Sequence, residues 1–287
     1  MEKIAVIDIG SNSVRLMTLA DGKVLYKTLE TTQLGEGIAV APVLKETAME
    51  RTAQAIAGFS ARAKTEGAEK VYAFATAAVR SAKNGGEFVN RVKALCDVEI
   101  EVLSGDEEAE IGMKGALGDN DGGIIDIGGA STEIVVRKNG QTVYQKSVDI
   151  GVVRLKDSCG RDLSALTTTA KRAIEQYGEV PSGVTMHAIG GTATTVAALL
   201  LDLQEYDGTE VTGLKIKKAQ IEALAERLAT TSVDELASHP CVPRKRAEVL
   251  LGGVVLLSEI MGAFGFAEIA VSDSDNLEGY AIVKGLL

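Results

Sequence analysis

A six-residue run near the start of the chain recurs 118 positions further on. Val6–Ser11 reads VIDIGS and Ile124–Gly129 reads IIDIGG, so each copy is an apolar strand signal that ends in Asp and a glycine-containing loop. Asp21–Gly22 and Asn139–Gly140 lie at the same offset, and both dipeptides are typical of type I′ hairpin turns. The repeat predicts two related halves that face each other across a cleft.

Hydrophobic periodicity predicts the same order of elements in both halves. The first half carries strand patterns at residues 4–9, 14–20, 23–30, 71–76 and 98–103 and helix patterns at 44–66, 86–95 and 106–117. The second carries strand patterns at 123–128, 132–138, 141–148, 185–189 and 268–271 and helix patterns at 165–177, 192–203, 218–229, 244–264 and 276–287. This order predicts an α/β fold of two lobes, residues 1–120 and residues 121–275. The closing helix, residues 276–287, is predicted to return to the first lobe.

The composition is that of a globular protein with two cores. The chain has 287 residues, of which 46% are hydrophobic and 24% charged, and this length suits two domains. No apolar run approaches the roughly 18 residues of a membrane span, and the first residues lead directly into a strand, so a cytoplasmic location is expected. The three cysteines, Cys96, Cys159 and Cys241, have no CxxC spacing, which favours reduced thiols over disulfides or a zinc site.

The charge of the chain limits its partners. A formal net charge of −10 and a pI near 4.9 argue against duplex nucleic acid and anionic membranes, which both need a basic surface. A few arginines inside a cleft can still hold an anion at contact distance. The expected partners are therefore phosphorylated molecules that fit a cleft.

Loops of small residues follow both repeated aspartates, which lets backbone N–H groups converge on an anion. One such loop fits a tight strand-to-strand turn equally well, but two copies in register favour phosphate binding. Asp8 and Asp126 are predicted to share a divalent ion, with Mg²⁺ favoured over Zn²⁺ and Mn²⁺ as a substitute, because oxygen ligands dominate. Glu133 takes the place of Arg15 in the repeat, so the lobes differ in charge here, unless both are solvated strand positions. The predicted phosphate-binding residues of the two loops are Ser11, Asn12, Ser13, Gly128, Gly129, Ala130 and Ser131.

A third strand–glycine–helix pattern lies deeper in the second half, at residues 188–192. Gly190, Gly191 and Thr192 stand at the predicted helix N-terminus, which can receive another phosphate or the sugar and base of a nucleotide. Tight packing of the helix on the sheet explains the glycines equally well.

Two further charged residues stand where predicted strands open into the cleft. Arg80 follows a buried strand, and a guanidinium there can hold phosphate oxygens through two parallel contacts; alone, this residue fits a surface charge better. Ser104 and Glu107 have the spacing of a capping box, which leaves Glu108 free to deprotonate an attacking water. An acidic first turn that complements the helix dipole is the alternative for Glu108.

Together these motifs resemble one known family, the exopolyphosphatase and guanosine-pentaphosphate phosphohydrolase family. The resemblance covers nearly the whole chain, and the motifs stand in the family's order. It implies a two-lobed, duplicated actin-like ATPase fold of the ribonuclease H-like type, with an interdomain cleft, and Mg²⁺-dependent hydrolysis of a terminal phosphoryl group. The matching segments are residues 7–13, 75–80, 104–109, 126–133, 188–192 and 246–253.

The resemblance also implies roles for individual residues. Glu108 resembles the family's catalytic base, Asp126 its metal-linked carboxylate and Arg80 its phosphate clamp. Glu133 resembles its second acidic cleft residue, a further catalytic and metal-binding group. Asp8 is expected to face the ion from the opposite lobe.

Three departures from the family pattern bear on the substrate. Ala130 stands in place of a glycine and adds a methyl group where the backbone approaches phosphate. Leu277 stands where relatives carry arginine, so a basic contact to substrate is expected to be missing. The chain ends at Leu287, whereas many relatives continue into further helical domains, and this favours short polyphosphate over long chains.

The expected function is removal of the terminal phosphate of short polyphosphate by a water that Glu108 activates. Hydrolysis of the 5′ phosphate of guanosine pentaphosphate is the alternative within the same chemistry. The sequence shows no purine-sized aromatic clamp that would decide between the two substrates. A kinase of the same fold and a non-catalytic sensor of a phosphorylated ligand are alternatives of other classes. Lobe motion is expected about residues 118–122 and the closing helix. The apolar helix at 249–264 fits a core helix better than a dimer face, which leaves a homodimer as an open alternative.

Overall fold

The computed structural model describes residues 2–287, which form two mixed β-sheets with helices around them. The first sheet has the order β3-β2-β1-β4-β5 and the second the order β8-β7-β6-β9-β11-β10. The strands are β1 (Lys3–Ile9), β2 (Val14–Ala20), β3 (Lys23–Glu30), β4 (Ala68–Ala75), β5 (Ile100–Val102), β6 (Gly122–Ile127), β7 (Thr132–Lys138), β8 (Gln141–Val148), β9 (Met186–Ile189), β10 (Lys215–Lys217) and β11 (Glu268–Val271).

The helices lie between and after these strands and are numbered in chain order. They are α1 (Glu46–Thr65), α2 (Ala77–Ser81), α3 (Gly85–Cys96), α4 (Gly105–Leu117), α5 (Val152–Cys159), α6 (Leu163–Ile174), α7 (Gly190–Leu200), α8 (Gly208–Val211), α9 (Lys218–Thr230), α10 (Val233–Leu236), α11 (Arg244–Ala263) and α12 (Asn276–Val283). No helix among residues 2–287 has the length and apolar content needed to cross a membrane.

The two sheets repeat one topology, which confirms the predicted fold of two duplicated α/β lobes. In each, three antiparallel strands form a meander and the fourth strand pairs in parallel with the first. Asp8 on β1 lies opposite Arg15 on β2, and Asp126 on β6 lies opposite Glu133 on β7. The 118-residue offset therefore relates positions in space as well as in sequence.

The turns of the meanders are also equivalent. Asp21 and Gly22 have φ angles of 51° and 70°, and Asn139 and Gly140 have φ angles of 53° and 73°. A type I′ turn needs positive φ at both central residues, which Asn, Asp and Gly tolerate best. The predicted hairpin turns are thus present in both lobes.

Each lobe has its own apolar core, and α11 lies in that of the second lobe. Leu250, Val254 and Leu257 of this helix are at most 1% exposed. The helix predicted at residues 249–264 is therefore a core helix and offers few apolar side chains for a dimer face.

Two helices exchange places between the lobes. The helix α4, which follows the last strand of the first sheet, packs on the second sheet, where its Met113 joins an apolar cluster with Ile124. The helix α12, which follows a strand of the second sheet, packs on the first, where Tyr280 stacks on Phe74 with ring centroids 4.6 Å apart. These two helices therefore join the lobes.

The contact between α4 and α12 is backbone against backbone. A Cβ added at Gly115 would overlap the carbonyl oxygen of Asp275, and a Cβ added at Gly279 would overlap the carbonyl oxygen of Ile111. Only glycine fits at these two positions, because each faces the main chain of the other helix.

Several short elements were not predicted. They are the strand β10 and the helices α2, α5, α8 and α10, which have between three and eight residues. Segments of this length show too few periods for a hydrophobic pattern to identify them. In addition, α7 starts at Gly190, two residues before the predicted start.

Candidate active site

A cleft of about 420 Å³ lies between the lobes where the carboxyl ends of β1 and β6 face each other. Such a crevice beyond the strand ends is the usual ligand site of α/β sheets. The predicted site residues that line it are Asp8, Ser11, Asn12, Ser13, Glu108, Asp126, Gly128, Gly129, Ala130, Ser131, Gly190 and Gly191.

The two predicted phosphate loops touch each other across the cleft. A Cβ added at Gly129 would come within 2.6 Å of the Ser11 Cβ atom. On the outer side of each loop, main-chain N–H groups hold the carbonyls: Gly35 donates to Ser11 at 2.8 Å and Val153 donates to Gly129 at 2.8 Å. Both loops are therefore braced from behind by neighbouring segments.

The N–H groups of the loops are left for a ligand. Within residues 2–287, those of three consecutive residues in each loop donate no protein hydrogen bond. Converging unpaired N–H groups form an anion-binding concavity, and unsatisfied backbone donors are costly unless water or a ligand accepts from them. The residues concerned are Ser11, Asn12, Ser13, Gly129, Ala130 and Ser131.

Four predicted acidic residues are buried around the cleft. Asp8, Glu108, Asp126 and Glu133 are between 1% and 7% exposed, and burial raises the pKa of each because it disfavours the charged form. The pKa of Asp126 rises to about 7, chiefly through burial and further through the charges of Asp275 and Glu108. The site therefore concentrates negative charge that needs a positive partner.

Arg15 supplies part of that positive charge. Its Nε donates to Asp8 Oδ2 at 2.9 Å, and its Nη1 forms an ion pair with Asp275. Burial alone would lower the pKa of Arg15, but the charges of Asp275 and Asp8 raise it well above its ordinary value. Arg15 thus stays protonated between two carboxylates.

Arg80 holds Glu108 and does not line the cleft. Its Nη1 donates to Glu108 Oε2 at 2.8 Å and to the Leu103 carbonyl oxygen at 2.8 Å. Burial raises the pKa of Glu108, while Arg80 acts in the opposite direction. The Glu108 carboxylate, which faces the cleft, is fixed in place by this pair.

A second arginine in the cleft has no acidic partner. The guanidinium of Arg246, on the first turn of α11, lies against the backbone of Gly191, where an added Cβ would come within 2.7 Å of its Cζ. Among the described residues it forms no ion pair, and burial together with the charge of Arg15 lowers its pKa to about 10. An unpaired guanidinium beside anion-binding loops is a site for a phosphate group.

Comparison with known proteins agrees with this geometry. Residues 6–283 match the model of the Ppx/GppA phosphatase family. The chain belongs to that family. Exopolyphosphatase 2 of Mycobacterium tuberculosis is 29% identical over 98% of this chain and 98% of its own.

Other members of the Ppx/GppA family are similar as well. Guanosine-5′-triphosphate,3′-diphosphate pyrophosphatase of Photobacterium profundum is 29% identical over 99% of this chain, which spans only 57% of the length of that relative. The crystal structure of an Aquifex aeolicus Ppx/GppA family member superimposes with a TM-score of 0.79 at 28% identity, covering 99% of this chain and 98% of that one.

Two predicted residues of this Ppx/GppA site lie behind the cleft lining. Glu133 accepts a hydrogen bond from Ser147 Oγ at 2.6 Å. Thr192 Oγ1 donates to the Ile127 carbonyl oxygen at 3.4 Å, and its methyl group packs at Gly253. The structure thus turns the Thr192 side chain away from the place where a phosphate was expected.

The family departures have structural explanations. Ala130 is fully buried and its methyl group packs with the apolar core of the first lobe. Leu277 is 1% exposed and packs with Phe74 and Tyr280 beneath the first sheet. Both side chains therefore pack between the lobes.

Sequence reasoning assigned no site role to several residues that the structure places in the cleft lining, among them Arg246, Asp275 and Asn276. Arg246 was detectable, because three basic residues at a helix N-terminus oppose the helix dipole and are out of place for stability. Asp275 and Asn276 were not, because they read as an ordinary helix cap. Asn276 Nδ2 in fact donates to Asp126 Oδ2 at 3.1 Å.

The predicted metal ligands fit a hard cation chemically. No three His, Cys, Asp or Glu side chains among residues 2–287 form a preformed cluster. However, Asp8 Oδ1 and Glu133 Oε2 are buried without a hydrogen-bond partner, and the nearby Asp126 has a raised pKa. When deprotonated, these carboxylates offer oxygen ligands of the kind that Mg²⁺ prefers, and the positive ion would offset their charge.

Proposed function

We propose that this Ppx/GppA chain is an exopolyphosphatase that hydrolyses the terminal phosphate of short polyphosphate in the presence of Mg²⁺. One observation carries the proposal: a buried carboxylate, Glu108, faces a cleft lined by two loops whose N–H groups donate no protein hydrogen bond. Phosphoryl transfer depends mainly on positioning and on stabilisation of negative charge, and this arrangement offers both.

Each residue has one task in the proposed reaction. Glu108 takes a proton from the attacking water, and its raised pKa brings it closer to neutral pH, where a general base is most effective. Arg80 keeps the Glu108 carboxylate oriented. The loop N–H groups donate to the phosphoryl oxygens, and Arg246 neutralises the next phosphate along the chain. When held by Asp8 and Asp126, Mg²⁺ supplies further positive charge at those oxygens.

Guanosine pentaphosphate is a second candidate substrate, which one feature of the outer cleft supports. Tyr206 lines the cleft with 44% of its surface exposed, and its hydroxyl donates to Asp273. A fixed, exposed aromatic ring is a surface on which a base can stack. The aromatic group that was not evident from sequence thus stands at the cleft, on the loop between α7 and α8.

The test is phosphate release by purified protein with Mg²⁺, without any acceptor, from tripolyphosphate, long polyphosphate, guanosine pentaphosphate and ATP. We expect release from tripolyphosphate that is lost in Glu108→Gln. Preference for guanosine pentaphosphate would favour the second substrate. Absence of release from all four despite binding would favour a sensor or a kinase, and transfer of a phosphoryl group to an added acceptor would identify the kinase.

The proposal includes the surroundings in which the chain acts. We expect a cytoplasmic enzyme. We also expect no duplex nucleic acid or membrane partner, because the net charge of −10 offers no basic footprint. A homodimer stays an open alternative that light scattering can test.

A further inference from the structure

A segment of the first lobe crosses to the second lobe beside the cleft. This strap, residues 31–39, follows β3. Its Gln33 N–H donates to the Asn12 carbonyl at 2.8 Å, and its Gly35 N–H donates to the Ser11 carbonyl at 2.8 Å. The strap is thus bonded directly to the back of the first phosphate loop.

The other end of the strap is bonded to α5. Asp157 Oδ2 accepts from the Gly37 N–H at 2.7 Å. Gly37 has a φ angle of 81°, a conformation that side chains rarely adopt. The half-buried Asp157 carboxylate therefore holds the strap at a residue whose backbone conformation favours glycine.

The helix that carries Asp157 also braces the second phosphate loop. The N–H groups of Val152 and Val153, in the first turn of α5, donate to the carbonyls of Gly128 and Gly129 at 3.0 and 2.8 Å. Asp157 lies in the next turn of the same helix. One short path therefore runs from the first loop through the strap and Asp157 to the second loop.

Further contacts between the strap and the second lobe lie beside this path. Lys245 Nζ donates to the Thr31 carbonyl oxygen at 2.5 Å, and Gln33 Nε2 donates to Glu248 at 3.3 Å. Lys156 also pairs with Glu248 at 2.5 Å. These contacts hold the strap on α11, and Lys156 links that group to α5 through Glu248. Asp157 is the residue of α5 that bonds to the strap directly.

We propose that Asp157 is a positioning residue that fixes the separation of the two phosphate loops by joining the strap to α5. Asp157 does not line the cleft, so it acts through the loops and not on the substrate. Its effect on catalysis rests on the proposed hydrolase function, whereas its effect on the loops does not.

The experiment compares Asp157→Ala and Asp157→Asn with Glu226→Gln, a matched removal of one exposed carboxylate on α9. Amide hydrogen exchange is measured in peptides that cover residues 31–39, the first phosphate loop (residues 10–13) and the second (residues 128–131). Phosphate release from tripolyphosphate is measured in parallel, together with the melting temperature.

For Asp157→Ala we expect exchange to become about tenfold faster in the strap and in both loops, because a hydrogen bond that restrains local opening is lost. We expect kcat to fall about tenfold with KM changed less than threefold, since the loops still bind phosphate but in a looser geometry. Asp157→Asn keeps one acceptor oxygen and should recover most of both effects. Glu226→Gln should match the wild type.

Two results would overturn the proposal. In one, exchange rises in the strap while both loops and kcat stay unchanged, which would make Asp157 a local structural contact only. In the other, Asp157→Asn loses as much kcat as Asp157→Ala, and in both variants the loss follows a lowered melting temperature, which would indicate general destabilisation. If the wild type releases no phosphate, the hydrolase function fails, and the exchange measurements still decide the role of Asp157.

Discussion

Arg15 on β2 bonds both to Asp8 on the adjacent strand and to Asp275 at the start of α12. A single guanidinium thereby connects the first sheet to the segment that returns from the second lobe. Because all three groups are substantially buried, this contact contributes to stability as well as to the electrostatics of the site.

Replacing Arg15 with Gln should destabilise the protein strongly. The change leaves Asp8 and Asp275 without a counter-charge, and breaking a buried pair in this way costs about 3 kcal/mol or more. Urea unfolding without Mg²⁺ measures the loss, and added Mg²⁺ should restore part of it. Arg62→Gln, which removes an exposed pair with Glu66, is the control; equal losses in the two variants would contradict the prediction.

Glu108→Gln should reduce phosphate release by about 100-fold or more, the usual contribution of a general base. The fold should be retained, because the amide has the same shape and still accepts from Arg80. Glu107→Gln is the matched control, since Glu107 is exposed and serves in the capping box with Ser104. If Glu108→Gln kept full activity in a phosphate assay, Glu108 would not be the base.

The stability of the Mg²⁺-free protein should fall between about pH 4 and pH 7. The folded-state pKa of Asp126, about 7, lies above its unfolded value of about 3.9. Asp126 therefore contributes stability that is full below the unfolded pKa and is lost as the pH rises through the folded pKa. Unfolding free energies at several pH values measure the slope, which Asp126→Asn should flatten; an equal slope in the variant would show that other groups cause it.

Arg246→Gln should weaken substrate binding without weakening the fold. We expect KM for tripolyphosphate to rise about tenfold, in the range of one charge-assisted phosphate contact. Because the guanidinium has no acidic partner and burial disfavours its charge, the melting temperature should stay level or rise. Arg244→Gln, an exposed neighbour paired with Asp234, should leave KM unchanged. A large loss of stability in Arg246→Gln would reveal a structural role instead.

Gly279→Ala should destabilise the contact between α4 and α12. The added methyl group would overlap the Ile111 carbonyl oxygen, and overpacking of this kind costs about 3 kcal/mol when main chain must move. Gly58→Ala is the control, because Gly58 lies within α1 with no atom near the position of its added Cβ; it should gain about 0.5–1 kcal/mol. Thermal unfolding of both variants decides the matter.

The sequence predicted the parts of the site that are local. Asp8 and Asp126 lie near the ends of apolar strands, and loops of small residues follow both. The residues next to each aspartate were therefore sufficient to predict its place in the site. Arg246 and Asp275 enter the cleft from segments more than 100 residues away from either loop, and only the packing of α11 and α12 brings them there. The position of Arg80 behind Glu108 depends on a side-chain direction that the sequence does not encode locally.

The exchange of α4 and α12 also bears on how such a chain arose and how it folds. A fragment ending at residue 120 would carry α4 without the sheet that covers it, and its own sheet would lack α12. The complementary fragment, residues 121–287, would in turn lack α4 and carry α12 without its sheet. Because neither fragment has a complete interior, we expect the two to recover a native fold only when they are mixed. A dimer of two identical single-lobe proteins in which each chain packed its last helix on the other would show the same exchange. Fusion of their genes would then give a chain with this arrangement.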